Sequence, residues 1–201
     1  MVLKYKITTQ DLDATYEQWR DKFTFHRILV GGSLALSADV VMAIIDRLAY
    51  STYADELLYP RMLFAIGTLL TIFISRLNQN KVHPAFLIAF MYISVGISVA
   101  DMTRILGGFT SPYYAGLLLT FLGFAVIIPV MLHVHILCNL VIFFFYIGIN
   151  FMYPLDSEQI NAMFTNSAFM FIGSLLANTS VYLYQLLQQS QFHYQKQLEL
   201  S

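Results

Sequence analysis

Residues 113–153, YYAGLLLTFLGFAVIIPVMLHVHILCNLVIFFFYIGINFMY, form the long apolar run that decides the fold. A membrane-spanning helix needs about 20 apolar residues, so this run is too long for one span and about right for two. Pro129, His133 and His135 interrupt it near the middle and mark the expected corner. The run therefore predicts two consecutive spans, the fourth and fifth of the chain.

The rest of the chain has the same character. Further apolar segments occupy residues 25–45, 59–77, 83–102 and 159–184. Of the 201 residues, 58% are hydrophobic and 11% are charged, whereas ordinary soluble domains carry roughly 25% charged residues. A soluble domain of this size could not bury so much apolar surface. The sequence thus predicts an all-α, integral membrane bundle of six helices.

The basic residues predict the orientation. With the N-terminus inside, three of the 11 Lys and Arg residues lie outside, namely Arg47, Arg61 and Arg104. The others face the cytoplasm, where positive charge is favoured: Lys4, Lys6, Arg20, Lys22, Arg27, Arg76, Lys81 and Lys196. Both ends are therefore expected in the cytoplasm, as in a multi-pass protein of the inner (cytoplasmic) membrane.

Three regions follow from this topology. Residues 1–22 form a cytoplasmic N-terminal segment, residues 23–184 a six-span receptor domain, and residues 185–201 a cytoplasmic signalling helix. The net charge of −1 provides no basic surface for nucleic acid. Phosphate-loop, nucleophile-elbow and metalloprotease motifs are missing from the sequence, so we expect no enzyme activity in this chain.

The C-terminal stretch has no helix stop signal. Residues 184–199 contain neither Gly nor Pro and are rich in good helix formers. Leu183, Leu187, Tyr194 and Leu198 recur with rough helical spacing, which would suit a parallel coiled coil with a second copy of the chain. One interpretation is a signalling helix that leads into an output domain, and the alternative is a frayed tail.

Four histidines fall at one predicted depth. His26, His83, His133 and His135 all lie at the cytoplasmic face. Neutral imidazoles are common axial ligands of haem, so the set permits up to two bis-histidine b-type haems for redox or gas sensing. His133 and His135 project about 200° apart on a helix and cannot share one iron. Histidine also occurs at membrane interfaces without a ligand role, and that alternative stays open.

Two acidic residues lie near the predicted outer surface. Asp46 and Asp101 end the first and third apolar segments. Arg47 and Arg104 lie nearby in the sequence and are expected to pair with them. These carboxylates are therefore predicted to have a structural role.

A third carboxylate lies deeper in the membrane. Asp39 falls inside the first span, and intramembrane carboxylates usually face a cavity or a partner. With Tyr113 and Tyr114 it forms a candidate ligand pocket. A receptor for a lipophilic small ligand without haem is therefore one alternative to the haem sensor. A membrane b-type cytochrome is another, although it needs redox centres at both depths.

Residues 110–117, TSPYYAGL, open the fourth span and are the most specific motif in the chain. With the six spans and the helical exit, they resemble the membrane receptor domains of bacterial class III adenylate cyclases and related anchors of histidine kinases. The resemblance implies a homodimeric sensor that controls a C-terminal catalytic domain. Some such receptors contain haem, which would carry over to His26, His83, His133 and His135.

Overall fold

The computed structural model describes residues 15–77, 82–128 and 131–200. Within these ranges the chain forms six α-helices and one 3₁₀ turn, and no strand occurs. The elements are α1 (Tyr16–Ala49), α2 (Ala54–Leu77), α3 (Pro84–Ile105), the 3₁₀ turn (Gly108–Thr110), α4 (Tyr114–Ile127), α5 (Leu132–Asn150) and α6 (Ser157–Leu200). The predicted all-α fold is confirmed.

Some sequence expectations lie outside the described residues. These are the Pro129 corner, residues 1–14 of the N-terminal segment, the turn at 78–81, and the basic residues Lys4, Lys6 and Lys81. On either side of the corner, α4 ends at Ile127 and α5 begins at Leu132. His133 and His135 therefore lie in the first turn of α5.

Five helices in the described part of the chain are long and apolar enough to cross a membrane: α1, α2, α3, α5 and α6. α4 has 14 residues, which corresponds to about 21 Å, less than the roughly 30 Å of a hydrocarbon core. Large apolar side chains such as Leu48, Phe86 and Leu119 are exposed, as contact with lipid requires. The chain is thus a multi-pass helical membrane protein, and its described residues provide five candidate spans and one shorter apolar helix.

Capping interactions set the starts of the two longest helices. Thr15 and Gln18 form a capping box, in which each side chain accepts a hydrogen bond from the backbone of the other residue. As a result α1 begins at Tyr16, well before the apolar segment predicted from residue 25. Asp156 caps α6 by accepting a 2.8 Å hydrogen bond from the Gln159 backbone.

α3 lies at the centre of the bundle. It packs against α2, α4 and α5, and its Ile88, Met91 and Tyr92 side chains are fully buried. Gly96 allows the close approach of α5, because a Cβ atom there would lie 2.3 Å from Ile142 Cδ1. α1 packs on α2, and α6 packs on α4 and α5.

α6 is one continuous helix of 44 residues. Its length of about 66 Å is roughly twice the thickness of a hydrocarbon core. The stretch without Gly or Pro at 184–199 lies within it, so the predicted continuation of the helix through these residues is confirmed. The pairing of two such helices in a coiled coil stays a prediction.

Candidate ligand cavity

A cavity of about 600 Å³ lies between α1 and α4. Those two helices supply most of its lining, and α2, α3 and residues that flank α1 and α4 supply the remainder. The lining is predominantly apolar, and most of its polar residues are gathered at one end. Apolar lining residues include Leu34, Met42, Phe64, Val95, Leu119, Gly123 and Phe124, and the polar end contains Asp39, Arg61 and Tyr113.

Four side chains meet at the polar end and are here called the Arg61 cluster: Asp39 and Asp46 of α1, Arg61 of α2, and Tyr113 just before α4. Asp46 and Arg61 are buried, and Asp39 and Tyr113 are partly buried. Arg61 Nη1 donates to Asp39 Oδ1 at 2.7 Å, and its Nε donates to Asp46 Oδ2 at 2.6 Å. Arg61 Nη2 donates to the Tyr113 hydroxyl at 3.1 Å. That hydroxyl in turn donates to Asp46 Oδ1. The cluster ties α1, α2 and the start of α4 together.

The two carboxylates of the Arg61 cluster are not equally satisfied. Both oxygens of Asp46 accept hydrogen bonds, one from Arg61 and one from Tyr113. Asp39 uses only Oδ1, and no group among the described residues donates to its Oδ2. Its side chain is only 10% exposed.

The opposite end of the cavity is narrowed by a close contact between α1 and the end of α4. A Cβ atom on Gly31 would lie 2.4 Å from Ile128 Cδ1, so a larger residue there would displace that side chain. Arg27 Nη1 donates to the Ile127 carbonyl at 3.4 Å in the same region. Gly31 and Asp39 are about 12 Å apart along α1. The cavity therefore has one apolar, narrow end and one polar end.

Two of the three residues predicted for a ligand pocket line this cavity. They are Asp39 and Tyr113. Tyr114 instead is half-buried and packs against the main hydrophobic core. Arg61, which connects Asp39 to Tyr113, was not predicted as a site residue. Its position directly after Pro60 inside the apolar segment 59–77 is the signal that marks it, because an arginine within a span requires a partner.

The expected partner of Asp46 was wrong. Asp46 pairs with Arg61, whereas Arg47 lies on an exposed surface, 3.9 Å from a carboxylate of α2. Adjacent residues of a helix point about 100° apart, so Arg47 does not reach the carboxylate beside it. The second expected pair is confirmed, since Arg104 Nε donates to Asp101 Oδ1 at 2.7 Å.

The four histidines predicted as haem ligands do not line the cavity. His26, His83 and His133 are exposed, and His83 caps α3 by accepting a hydrogen bond from the Ala85 backbone. His135 is fully buried. His133 and His135 thus differ in environment within one turn of α5, in agreement with the predicted angle of about 200° between them.

His135 belongs to a second buried group of polar residues, here called the His135 cluster: Tyr92 of α3, His135 and Asn139 of α5, and Ser174 and Asn178 of α6. His135 Nδ1 lies 2.8 Å from Asn178 Oδ1, and His135 Nε2 lies 3.5 Å from the Tyr92 hydroxyl. That hydroxyl donates to Asn139 Oδ1, and Asn139 Nδ2 donates to Ser174 Oγ at 3.0 Å. Each member of the cluster has a side-chain partner.

The contacts of His135 affect whether it could bind a haem iron. Both ring nitrogens of His135 lie within hydrogen-bonding distance of other side chains, so an iron bond at either would replace an existing contact. Across the described ranges, no group of three or more His, Cys, Asp or Glu side chains could hold a metal ion. Haem ligation by His26, His83, His133 and His135 stays a prediction.

α1 also contacts the exit helix, at the end of α1 remote from the Arg61 cluster. We call this contact the Trp19 junction: Trp19, Phe23 and Arg27 of α1 with Tyr184 and Phe192 of α6. The Trp19 ring stacks on Phe23 with centroids 5.8 Å apart and lies 5.6 Å from the Phe192 ring. The Arg27 guanidinium lies 4.5 Å from the Phe23 centroid and 4.8 Å from that of Tyr184. One helix therefore touches both the cavity and the exit helix.

Comparison with known proteins places this architecture in a family. The family model MASE8 matches residues 44–199, a range that contains Asp46, Arg61 and Tyr113 of the Arg61 cluster and all members of the His135 cluster. No curated protein and no solved structure matches the chain. The chain belongs to the MASE8 family of membrane-associated sensor domains.

Proposed function

We propose that this sensor domain is a receptor for a lipophilic small molecule that binds in the cavity between α1 and α4. The observation that carries the proposal is the cavity itself. Its volume of about 600 Å³ lies within the roughly 300–1,000 Å³ of pockets that enclose small ligands. An apolar lining with a few polar groups at one end is also the usual composition of such pockets. A ligand of this type would reach the cavity through the bilayer.

α1 offers a route from the cavity to the exit helix. The same rigid element carries Asp39 and Asp46 at one end and Trp19, Phe23 and Arg27 at the other. A ligand that separates α1 from α4 would therefore also change the contact between α1 and α6 at the Trp19 junction. Shifts of packed helices by one or two ångströms are a common switching movement.

We further propose that α6 conveys this change to a C-terminal effector such as an adenylate cyclase, in a homodimer with paired exit helices. The length of α6 supports the proposal, because the helix has many more residues than a span needs. In this arrangement the chain itself contributes sensing and no catalysis. The predicted N-in, C-in topology in the inner membrane would place the Arg61 cluster toward the outer side, with α4 as a short sixth span.

Photoaffinity labelling with matched variants tests the receptor. The probe is a diazirine derivative of dodecanol, added to the protein in phosphatidylcholine nanodiscs. Gly123 lines the cavity, and Gly148 lies on an exposed face of α5. Both have open space where a Cβ would be placed. Gly123→Leu should fill the cavity, and Gly148→Leu is the matched control.

We expect the probe to label peptides of α1 and α4 in the wild type and in Gly148→Leu, with a large loss in Gly123→Leu. Labelling from bulk lipid would instead be spread over the exposed faces and would be the same in all three proteins. Equal labelling of the three proteins would contradict the proposed receptor.

A haem sensor is the second candidate, and the buried His135 is the residue that favours it. An absorption spectrum of the protein purified in detergent tests this function. A Soret band with a low-spin, six-coordinate spectrum that is reduced by His135→Ala would support haem. A colourless protein that does not take up added haem would exclude it.

A further inference from the structure

We propose that the ligand carries a protonated amine, and that this amine binds Asp39 Oδ2 at the polar end of the cavity. The inference rests on the proposed receptor function and specifies its ligand as a cationic amphiphile. The apolar part of the cavity would hold the alkyl chain, and the Arg61 cluster would hold the head group.

The charge of the Arg61 cluster favours a cation. Two carboxylates face a single guanidinium, so the cluster in its ordinary charge states has one negative charge in excess. A charge that is buried without compensation is costly. The excess negative charge is not shared equally between the two carboxylates. Asp46 receives hydrogen bonds on both oxygens, whereas Asp39 receives one on Oδ1 only. Asp39 is therefore the carboxylate that lacks a donor.

The position of Asp39 makes its unpaired oxygen accessible to a ligand. Its side chain is nine-tenths buried, and it lines the cavity. A ligand ammonium would form a charge-assisted hydrogen bond with Oδ2, which is stronger than a bond from a neutral hydroxyl. Tyr50 and Tyr113 line the same end, with ring centroids 6.1 Å apart. A cation over the face of either ring would gain further attraction.

An anionic head group fits the site poorly. Arg61 is the cation of the cluster, and its Nε, Nη1 and Nη2 already donate to Asp46, Asp39 and Tyr113. A carboxylate or phosphate could pair only with the remaining N–H groups of Nη1 and Nη2, and it would approach two like charges. The geometry thus selects an amine over a fatty acid of the same chain length.

Competition against the photoreactive dodecanol tests the inference. Dodecylamine, dodecanol and dodecanoate are compared as competitors in nanodiscs of zwitterionic phosphatidylcholine, at matched mole fractions in the bilayer. Asp39→Asn removes the charge but keeps an oxygen that can accept from Arg61. Asp101→Asn is the matched control, because Asp101 pairs with Arg104 and does not line the cavity.

In the wild type and Asp101→Asn, dodecylamine should compete on the order of tenfold more strongly than dodecanol, as expected for a charge-assisted bond. Dodecanoate should be the weakest of the three. Asp39→Asn should lose the preference for the amine, which is measured as the ratio between the three competitors and does not depend on the amount of labelling. Equal or stronger competition by dodecanol or dodecanoate in the wild type would overturn the inference, as would an amine preference that survives Asp39→Asn. Both results would leave the proposed receptor function intact, because that function is contradicted only if labelling does not depend on Gly123.

Discussion

The Arg61 cluster and the His135 cluster are both polar and largely buried, but the Arg61 cluster borders the cavity between α1 and α4 and the His135 cluster does not. In the His135 cluster, the side chains of α3, α5 and α6 satisfy one another. In the Arg61 cluster, Asp39 has one oxygen without a donor among the described residues. The two clusters are therefore distinguished by how fully their polar groups are satisfied, and burial does not separate them. An incompletely satisfied group beside open space is the more informative feature.

The largest expected effect comes from removing the cation of the Arg61 cluster. Arg61→Met would leave Asp39 and Asp46 buried without their partner, and breaking a buried ion pair costs about 3–5 kcal/mol. Arg104→Met is the control, because Arg104 is partly exposed and such pairs contribute about 0–1 kcal/mol. The free energy of unfolding in mixed micelles measures both. Similar losses in the two variants would show that the Arg61 cluster does not hold α1 and α2 together.

Two glycines test how the packing differs around the two clusters. Gly96→Ala would press on Ile142 between α3 and α5 and should destabilise the bundle by about 1–3 kcal/mol. The methyl group of Gly123→Ala would point into the cavity, and this variant should stabilise the bundle by about 0.5–1 kcal/mol through helix propensity. The midpoint of thermal unfolding should therefore fall in Gly96→Ala and rise in Gly123→Ala. A loss of stability in Gly123→Ala would mean that α1 and α4 are packed together rather than separated.

A smaller effect is expected within the His135 cluster. Asn139→Ala removes the hydrogen bonds from Tyr92 and to Ser174, and interhelical hydrogen bonds in membranes contribute about 0.6–1.7 kcal/mol. Unfolding measurements should show a loss of that order. Photolabelling of the cavity should be unchanged, because Asn139 does not line it. A large drop in labelling would show that the two clusters are coupled.

The smallest expected signal is spectroscopic. Trp19 is the only tryptophan of the chain, and it lies in the junction between α1 and α6. Dodecylamine should cause a small change in Trp19 fluorescence in the wild type that is missing in Gly123→Leu. No change in the wild type, despite labelling of the cavity, would mean that α1 does not connect the cavity to the exit helix.

The sequence predicted the class of fold because apolar composition and length act locally. It predicted the continuous exit helix for the same reason, since residues 184–199 contain no helix breaker. The corner inside the apolar run 113–153 was expected near Pro129, and the helices on either side agree with it, since α4 stops at Ile127 and α5 begins at Leu132. The short length of α4 was not predicted, because the sequence is apolar on both sides of its ends.

The site was predicted only in part. Asp39 and Tyr113 were identified because polar groups inside an apolar environment are conspicuous in a sequence. Arg61 was interpreted as an external charge, because the positive-inside rule sorts residues by depth and says nothing about which face of a helix they occupy. The same limitation affects the histidines, since a common depth gave no indication that His135 is buried and His133 exposed.

Native mass spectrometry of protein released from nanodiscs after incubation with dodecylamine tests the central claim most directly. The receptor account predicts a single bound dodecylamine on the wild type and on Gly148→Leu, and its loss from Gly123→Leu. The same occupancy on all three proteins would contradict a ligand site between α1 and α4.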